Sequence, residues 1–198
     1  NERKVSVIVI GPGMAVTPEN RDLLLRLLHD TKRTMVIDGG ALGLLQDQTD
    51  QLSGSGASLI LTPHVGEFQR LVDEKLPAER ERLKPLAISF AQEHEVTLVL
   101  KGRPTYVAHE DGSVYENTSG NPGLATAGTG DVLSGIIAGL LAQGLEPSDA
   151  ADAGVYLHGL AGDMAAADKT QPGMIAGDVI EAIPSAFKRI ARNLTAPD

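Results

Sequence analysis

Four short apolar runs, many of them β-branched, recur along the first half of this chain at residues 5–10, 34–37, 59–61 and 96–100. The runs lack the in/out alternation of a half-exposed strand, so they suit a sheet buried on both faces, with the intervening segments as crossovers between parallel strands. Residues 19–29 have helical periodicity. Residues 78–94 have helical length, but Pro85 lacks an N–H and crowds the preceding turn, so this segment is expected to be kinked or divided. Residues 105–108 and 113–115, joined across Glu110-Asp111-Gly112, read as an antiparallel hairpin. Three more helical stretches follow at 132–143, 148–167 and 176–193, punctuated by Gly144 with Pro147 and by residues 170–173. The expected architecture is α/β, with a mostly parallel central sheet, helices on both faces and a β-hairpin addition. Without internal repeats, linkers or low-complexity tracts, residues 1–198 are expected to form one domain.

In such a sheet, ligands bind beyond the carboxyl ends of the strands. Gly11-Pro12-Gly13 follows the first run, Asp38 ends the second, Thr62-Pro63-His64 follows the third and Lys101-Gly102 follows the fourth. Their equivalent positions imply a single crevice.

Residues 117–141 add chemistry to that crevice. A glycine-rich polar run, Asn117 to Asp131, leads without a break into the apolar segment 132–141. A turn of this kind opening a helix offers backbone N–H groups and the positive end of the helix dipole to a phosphate or a developing oxyanion. Gly128 and Gly130 allow close approach of backbone, and Thr129 adds a hydroxyl at the turn. Asp131 is out of place on a site built only to bind anions, which suggests a base beside a phosphate. The alternative is a plain loop with Asp131 as a first-turn acid. The following segment is small and apolar on every side, as a buried helix would be.

Other candidates carry bland readings beside functional ones. Gly11 and Gly13 could bring backbone close to a substrate, or form an ordinary strand-to-helix loop. His64 could hydrogen-bond a substrate or cap the helix that begins near Val65. Glu67 reads as a first-turn acid, and Lys101 as either a phosphate ligand or a strand-end lysine. His158 and Asp163 lie five residues apart on a helix, so they face different ways. Helix packing and a satisfied buried histidine are the expectations there. His29, His94 and His109 show no ligand spacing.

Taken together, residues 97–163 (TLVLKGRPTYVAHEDGSVYENTSGNPGLATAGTGD through VYLHGLAGD), with VIVIGPGM, VIDGGAL and LTPHVGEFQRL upstream, resemble the ADP- or ATP-dependent NAD(P)H-hydrate dehydratases of the ribokinase-like superfamily. The resemblance spans nearly the whole chain. It implies dehydration of hydrated NADH and NADPH, with ADP or ATP as phosphate donor and Mg²⁺ bridging the nucleotide phosphates through few protein ligands. It assigns substrate contact to Gly11, Gly13, His64 and Asp131, and a nucleotide site to Lys101, Gly102, Arg103, Pro104, Thr105, Asn117, Thr129 and Gly130. Asp131 would be the base, and N–H groups near Gly128 and Gly130 the oxyanion donors. Family members usually carry a further N-terminal section with a glycine-rich substrate loop. Here Gly39-Gly40 stands where Ala-Asp usually follows the aspartate, and Ala15 stands where glycine is common. A kinase of the same superfamily, or a nucleotide-binding regulatory protein without turnover, would share most of these features.

Composition narrows the partners. A net charge of −9 argues against a broad basic surface for nucleic acid. The absence of cysteine excludes disulfides and thiolate chemistry. No apolar run approaches the roughly 18 residues of a membrane span, and the start NERK has no signal-peptide pattern. A cytoplasmic enzyme without membrane or nucleic-acid partners, self-associating as a homo-oligomer, is the expectation. There is no GxGxxG opening the first helix, which weakens a dehydrogenase reading.

Overall fold

The computed structural model describes residues 6–195, with side chains to residue 192, so the expected strand residue at position 5 lies outside the described residues. In chain order the elements are β1 (Val7–Ile10), α1 (Pro18–Asp30), β2 (Thr34–Ile37), α2 (Gly40–Leu44), β3 (Leu59–Leu61), α3 (Val65–Val72), α4 (Leu83–His94), β4 (Thr97–Leu100), β5 (Thr105–Ala108), β6 (Val114–Asn117), α5 (Thr129–Ala142), α6 (Pro147–Lys169) and α7 (Ala176–Thr195). Short 3₁₀ turns stand at Thr49–Gln51, Arg80–Arg82 and Pro122–Ala125. The strands lie side by side in the order β1-β2-β3-β4-β5-β6. β1 to β4 are parallel, and β5 and β6 join as the antiparallel hairpin.

Alternation along each strand feeds two cores. Met35, Ile37, Leu59, Leu61, Leu98 and Leu100 face the layer of α1 to α4, where they meet Leu24, Leu28, Leu42, Phe68 and Phe90. Val36, Ile60, Val99 and Val107 face α5 and α6, where they meet Leu133, Ile137, Ala151 and Val155. A third cluster joins α6 to α7 through Leu157, Leu160, Ala161, Val179 and Ala186.

Local chemistry sets the boundaries. Thr17 caps α1 by accepting from the Asn20 N–H at 3.3 Å, and Pro18 takes the first helical position, where an N–H would be unpaired anyway. Pro85 divides its segment as expected. The turn Arg80–Arg82 precedes α4, and the proline sits in the first turn, where its missing N–H costs no helix bond. The hairpin's second strand begins one residue later than expected and runs to Asn117. Ser113 belongs to the turn, its N–H bonded to the Asp111 carboxylate at 2.8 Å. Among the described residues, no helix is long and apolar enough to cross a membrane.

Phe68 is fully buried and meets Phe90 edge to face, with 5.5 Å between ring centroids. Truncation in Phe68→Ala is expected to cost about 3–5 kcal/mol, read from urea unfolding midpoints against the unsubstituted protein.

Candidate active site

The carboxyl ends of β1 to β4 converge as the sequence implies. Gly11 has φ of +115°, and a Cβ there would fall 1.8 Å from the Asp38 carbonyl oxygen. The turn after β1 therefore lies directly on the end of β2. The Asp38 N–H donates to the Ile10 carbonyl at 3.0 Å, and the Gly40 N–H to the Gly11 carbonyl at 3.1 Å. The departure at Gly39-Gly40 has a local cause: Gly39 has φ of +52°, and a Cβ on Gly40 would meet the Met14 carbonyl oxygen at 1.8 Å.

Asp38 is the electrostatic centre of the crevice. Its side chain is 2 % exposed and accepts from Lys101 Nζ at 2.9 Å and from Ser134 Oγ at 2.8 Å. Burial pushes its carboxyl up, but the Lys101 charge and the hydrogen bonds from Lys101, Ser134 and Thr62 hold it below the usual carboxylate range. Lys101 is fixed at its backbone by a parallel bridge to His64, its N–H bonded to the Pro63 carbonyl at 2.8 Å. Lys101 Nζ also lies 3.8 Å from Glu67.

His64 does cap α3. Its Nδ1 accepts from the N–H groups of Gly66 at 3.0 Å and Glu67 at 3.2 Å, while the Glu67 carboxylate accepts from the His64 N–H at 2.8 Å. With Nδ1 an acceptor in both bonds, a neutral ring carries its proton on Nε2, and 58 % of the side chain remains exposed. Cap and ligand contact are thus compatible in one residue. The loop after β4 is braced by Arg80, which donates to the Leu100 and Pro104 carbonyls at 2.7 Å and lies over the Tyr106 ring. Gly102 and Arg103 are exposed beside it, and Thr105 Oγ1 donates to the Gly102 carbonyl at 2.8 Å.

The glycine-rich run is clamped by α6. The Asp163 carboxylate accepts from the Gly120 N–H at 2.9 Å and from Asn121 Nδ2 at 3.0 Å. Gly159 lets the run sit against the helix, since a Cβ there would fall 2.1 Å from Ser119 Oγ. Asn117 is buried and exchanges hydrogen bonds with Ser119, so its side chain shapes the run from within. Gly128 takes the left-handed conformation at φ of +88° and opens α5. Gly130 and Asp131 follow in the first turn, where N–H groups have no partner in the helix's own ladder. The Asp131 carboxylate is exposed and, among the described residues, makes no hydrogen bond or ion pair.

Three expectations change. The Thr129 hydroxyl does not face a ligand; it is buried and donates to the Thr126 carbonyl at 2.8 Å and to that of Leu124, so Thr129 offers only backbone. α5 is not buried all round, because its Asp131, Gly135 and Gly139 side lines an apolar groove of about 580 Å³ shared with Ile180, Ile183 and Phe187 of α7. His158 is buried, but Nε2 has no partner, and desolvation pushes its pKa down to about 4. The helix carrying it is covered on most sides, with its neighbours Val155, Leu157, Gly159, Leu160 and Ala161 also buried. The remaining histidines stand outside the crevice: His29 meets Gln51, His94 packs on Phe90, and His109 pairs with Asp152 at 3.2 Å.

Sequence reasoning places Thr62 at the crevice but gives Ser134, Arg80 and Asp163 no part in building it. Ser134 had a readable signal, being a polar residue within the apolar segment 132–141. Arg80 had none, since nothing local marks which carbonyls a guanidinium will reach. The Lys101 ammonium stands against the first turn of α5 at Gly130, while the next residue, Asp131, carries an unpaired carboxylate that lines the groove between α5 and α7.

A family model for NAD(P)H-hydrate dehydratase matches residues 1–185. A bifunctional NAD(P)H-hydrate repair enzyme of Moorella thermoacetica is 44 % identical over 187 residues, covering 94 % of this chain and 35 % of that protein. An ADP-dependent (S)-NAD(P)H-hydrate dehydratase of Enterococcus faecalis is 37 % identical over 199 residues, covering 98 % of this chain and 65 % of that one. The crystal structure of the ADP/ATP-dependent dehydratase of Bacillus subtilis grown with ATP/Mg²⁺ superimposes with a TM-score of 0.83 at 29 % identity, over 96 % of this chain and 66 % of that one. The fold is ribokinase-like. The chain spans about a third of the bifunctional relative and just under two thirds of the single-function one.

The buried ring of His158 has a measurable consequence. Its folded pKa of about 4 lies below the ordinary 6.5, so the unfolded chain binds the proton first as pH falls. The stability this group contributes is full above pH 6.5 and lost progressively down to about pH 4. His158→Gln is expected to flatten that part of the profile of melting temperature against pH.

Proposed function

The chain belongs to the NAD(P)H-hydrate dehydratase family, and from that membership we propose that it catalyses the ADP- or ATP-dependent dehydration of hydrated NADH and NADPH. The observation that carries this reading is the pairing of the unpartnered Asp131 carboxylate with the first-turn N–H groups of α5, beside the Lys101 ammonium.

Asp131 takes the proton of the substrate hydroxyl as its oxygen bonds to the terminal phosphorus of the nucleotide. The bond from that phosphorus to its bridging oxygen breaks, and the electron pair stays on the nucleotide. The N–H groups of Gly130 and Asp131 face the charge that gathers on the phosphoryl oxygens. Phosphate then leaves the ring carbon with the electron pair of the C–O bond, pushed by the lone pair of the ring nitrogen. Loss of a proton from the neighbouring carbon to water restores the ring double bond and the reduced nicotinamide. The nicotinamide nucleotide is product here, not redox cofactor.

The Gly11 to Gly13 turn and the exposed ring of His64 contact the substrate in this reading. The loop from Lys101 to Thr105, with the run shaped by Asn117 and opened by Gly128, holds the nucleotide. Among the described residues, no three acidic or imidazole side chains are grouped to hold a metal. Mg²⁺, where bound, would neutralise the nucleotide phosphates, and the steps above are carried by this chain's own groups.

Hydrated NADH mixed with the protein, Mg²⁺ and either ADP or ATP is expected to show a nucleotide-dependent rise in reduced-nicotinamide absorbance with release of inorganic phosphate. Asp131→Ala should slow that rise by about 10²–10⁴-fold. A stable phosphorylated alcohol without free phosphate would instead identify a kinase, and nucleotide binding without any turnover would remove the catalytic reading.

A further inference from the structure

Gly130 does not have a positive φ, so backbone conformation does not explain glycine there. Its neighbours do. A Cβ at this position would stand 3.3 Å from Lys101 Nζ and 3.9 Å from Asp38 Oδ2. The ammonium thus lies directly over the first turn of α5, one residue from Asp131, and the missing side chain leaves it that place.

We propose that Asp38 is a positioning residue, holding the Lys101 ammonium over this turn so that it meets the phosphoryl group in transfer rather than the part of the nucleotide that remains behind. The proposal rests on the phosphoryl-transfer step above. Asp38 is suited to hold rather than to react: it is almost wholly buried, and both oxygens are engaged, Oδ1 by Lys101 and Oδ2 by Ser134. Ser134 Oγ in turn lies 3.5 Å from Thr62 Oγ1, so residues from β2, the end of β3 and α5 set one geometry. Placing two charges out of water costs more than such a pair generally returns in stability, which favours a role in arrangement. Lys101 has three donors and uses one on Asp38. Glu67, at 3.8 Å, is beyond hydrogen-bond distance, which leaves donors for an incoming oxyanion.

Isothermal calorimetry with AMP, ADP and ATP separates this role from general anchoring. Lys101→Met and Asp38→Asn should each bind AMP like the unsubstituted protein. Each should lose about tenfold or more in affinity for ADP or ATP, whichever the protein prefers, as one charged hydrogen bond would give. Ser134→Ala, which leaves the ion pair in place, should show a smaller loss of the same pattern and keeps the idea testable if Asp38→Asn does not fold. The double variant Asp38→Asn/Lys101→Met should be no worse than Lys101→Met.

Equal weakening of AMP and ADP would overturn the proposal, because Lys101 would then grip the nucleotide body. Loss in Lys101→Met with unchanged ADP binding in Asp38→Asn and Ser134→Ala would overturn the part assigned to Asp38. Failure of the protein to turn over hydrated NADH removes the dehydratase reading but leaves the contrast between AMP and ADP to be decided independently.

Discussion

A carboxylate withdrawn from water at the end of a buried strand must find a counter-charge and hydrogen-bond donors, and this requirement organises the crevice. Asp38 meets it with groups from two other parts of the chain, the Lys101 ammonium after β4 and the Ser134 hydroxyl from α5. Because neither donor is local, the ion pair forms only when the strand ends and α5 are already in register. The turn after β1 is drawn in through backbone contacts, with Gly11 lying on the Asp38 carbonyl. The site is therefore a property of the assembled sheet rather than of any one loop.

A second set of contacts supports the glycine-rich run before α5 from behind. Residues 117–124 hold themselves in part through the Asn117–Ser119 and Asn121–Gly123 hydrogen bonds, and α6 supplies the rest. Asp163 binds the Gly120 N–H and the Asn121 amide, while Gly159 and Gly162 let Ser119 and Leu124 lie against the helix. The donors at the start of α5 are thus reached through a segment whose shape is imposed by another helix, a form of preorganisation that a flexible glycine-rich loop could not provide by itself.

The strands, the hairpin and the helical stretches were legible because apolar periodicity, Pro85, Gly144 and the Asp111-Gly112 turn are local signals. The convergence of Gly11, Asp38, His64 and Lys101 was legible too, since parallel topology places strand ends together. Long-range partners were harder. That His158 Nε2 is left without a partner, that the Thr129 hydroxyl turns inward, and that α5 leaves one side open all depend on what packs nearby, and no spacing in the chain reveals it. Arg80 belongs to the same class, because its acceptors lie 20 and 24 residues away in sequence.

The alternation along β2 links packing to chemistry. Val36 and Asp38 are two residues apart and so share the face toward α5, while Met35 and Ile37 serve the opposite core. A shift of β2 by one residue would send the carboxylate into the layer of Leu24, Phe68 and Phe90, and bring an aliphatic side chain toward Ser134. Misregistered pairing would therefore carry a buried-charge penalty in addition to lost apolar contacts. The residues of this charge centre thereby penalise a misaligned strand, so that a chain with its sheet closed in the right register has also assembled the centre.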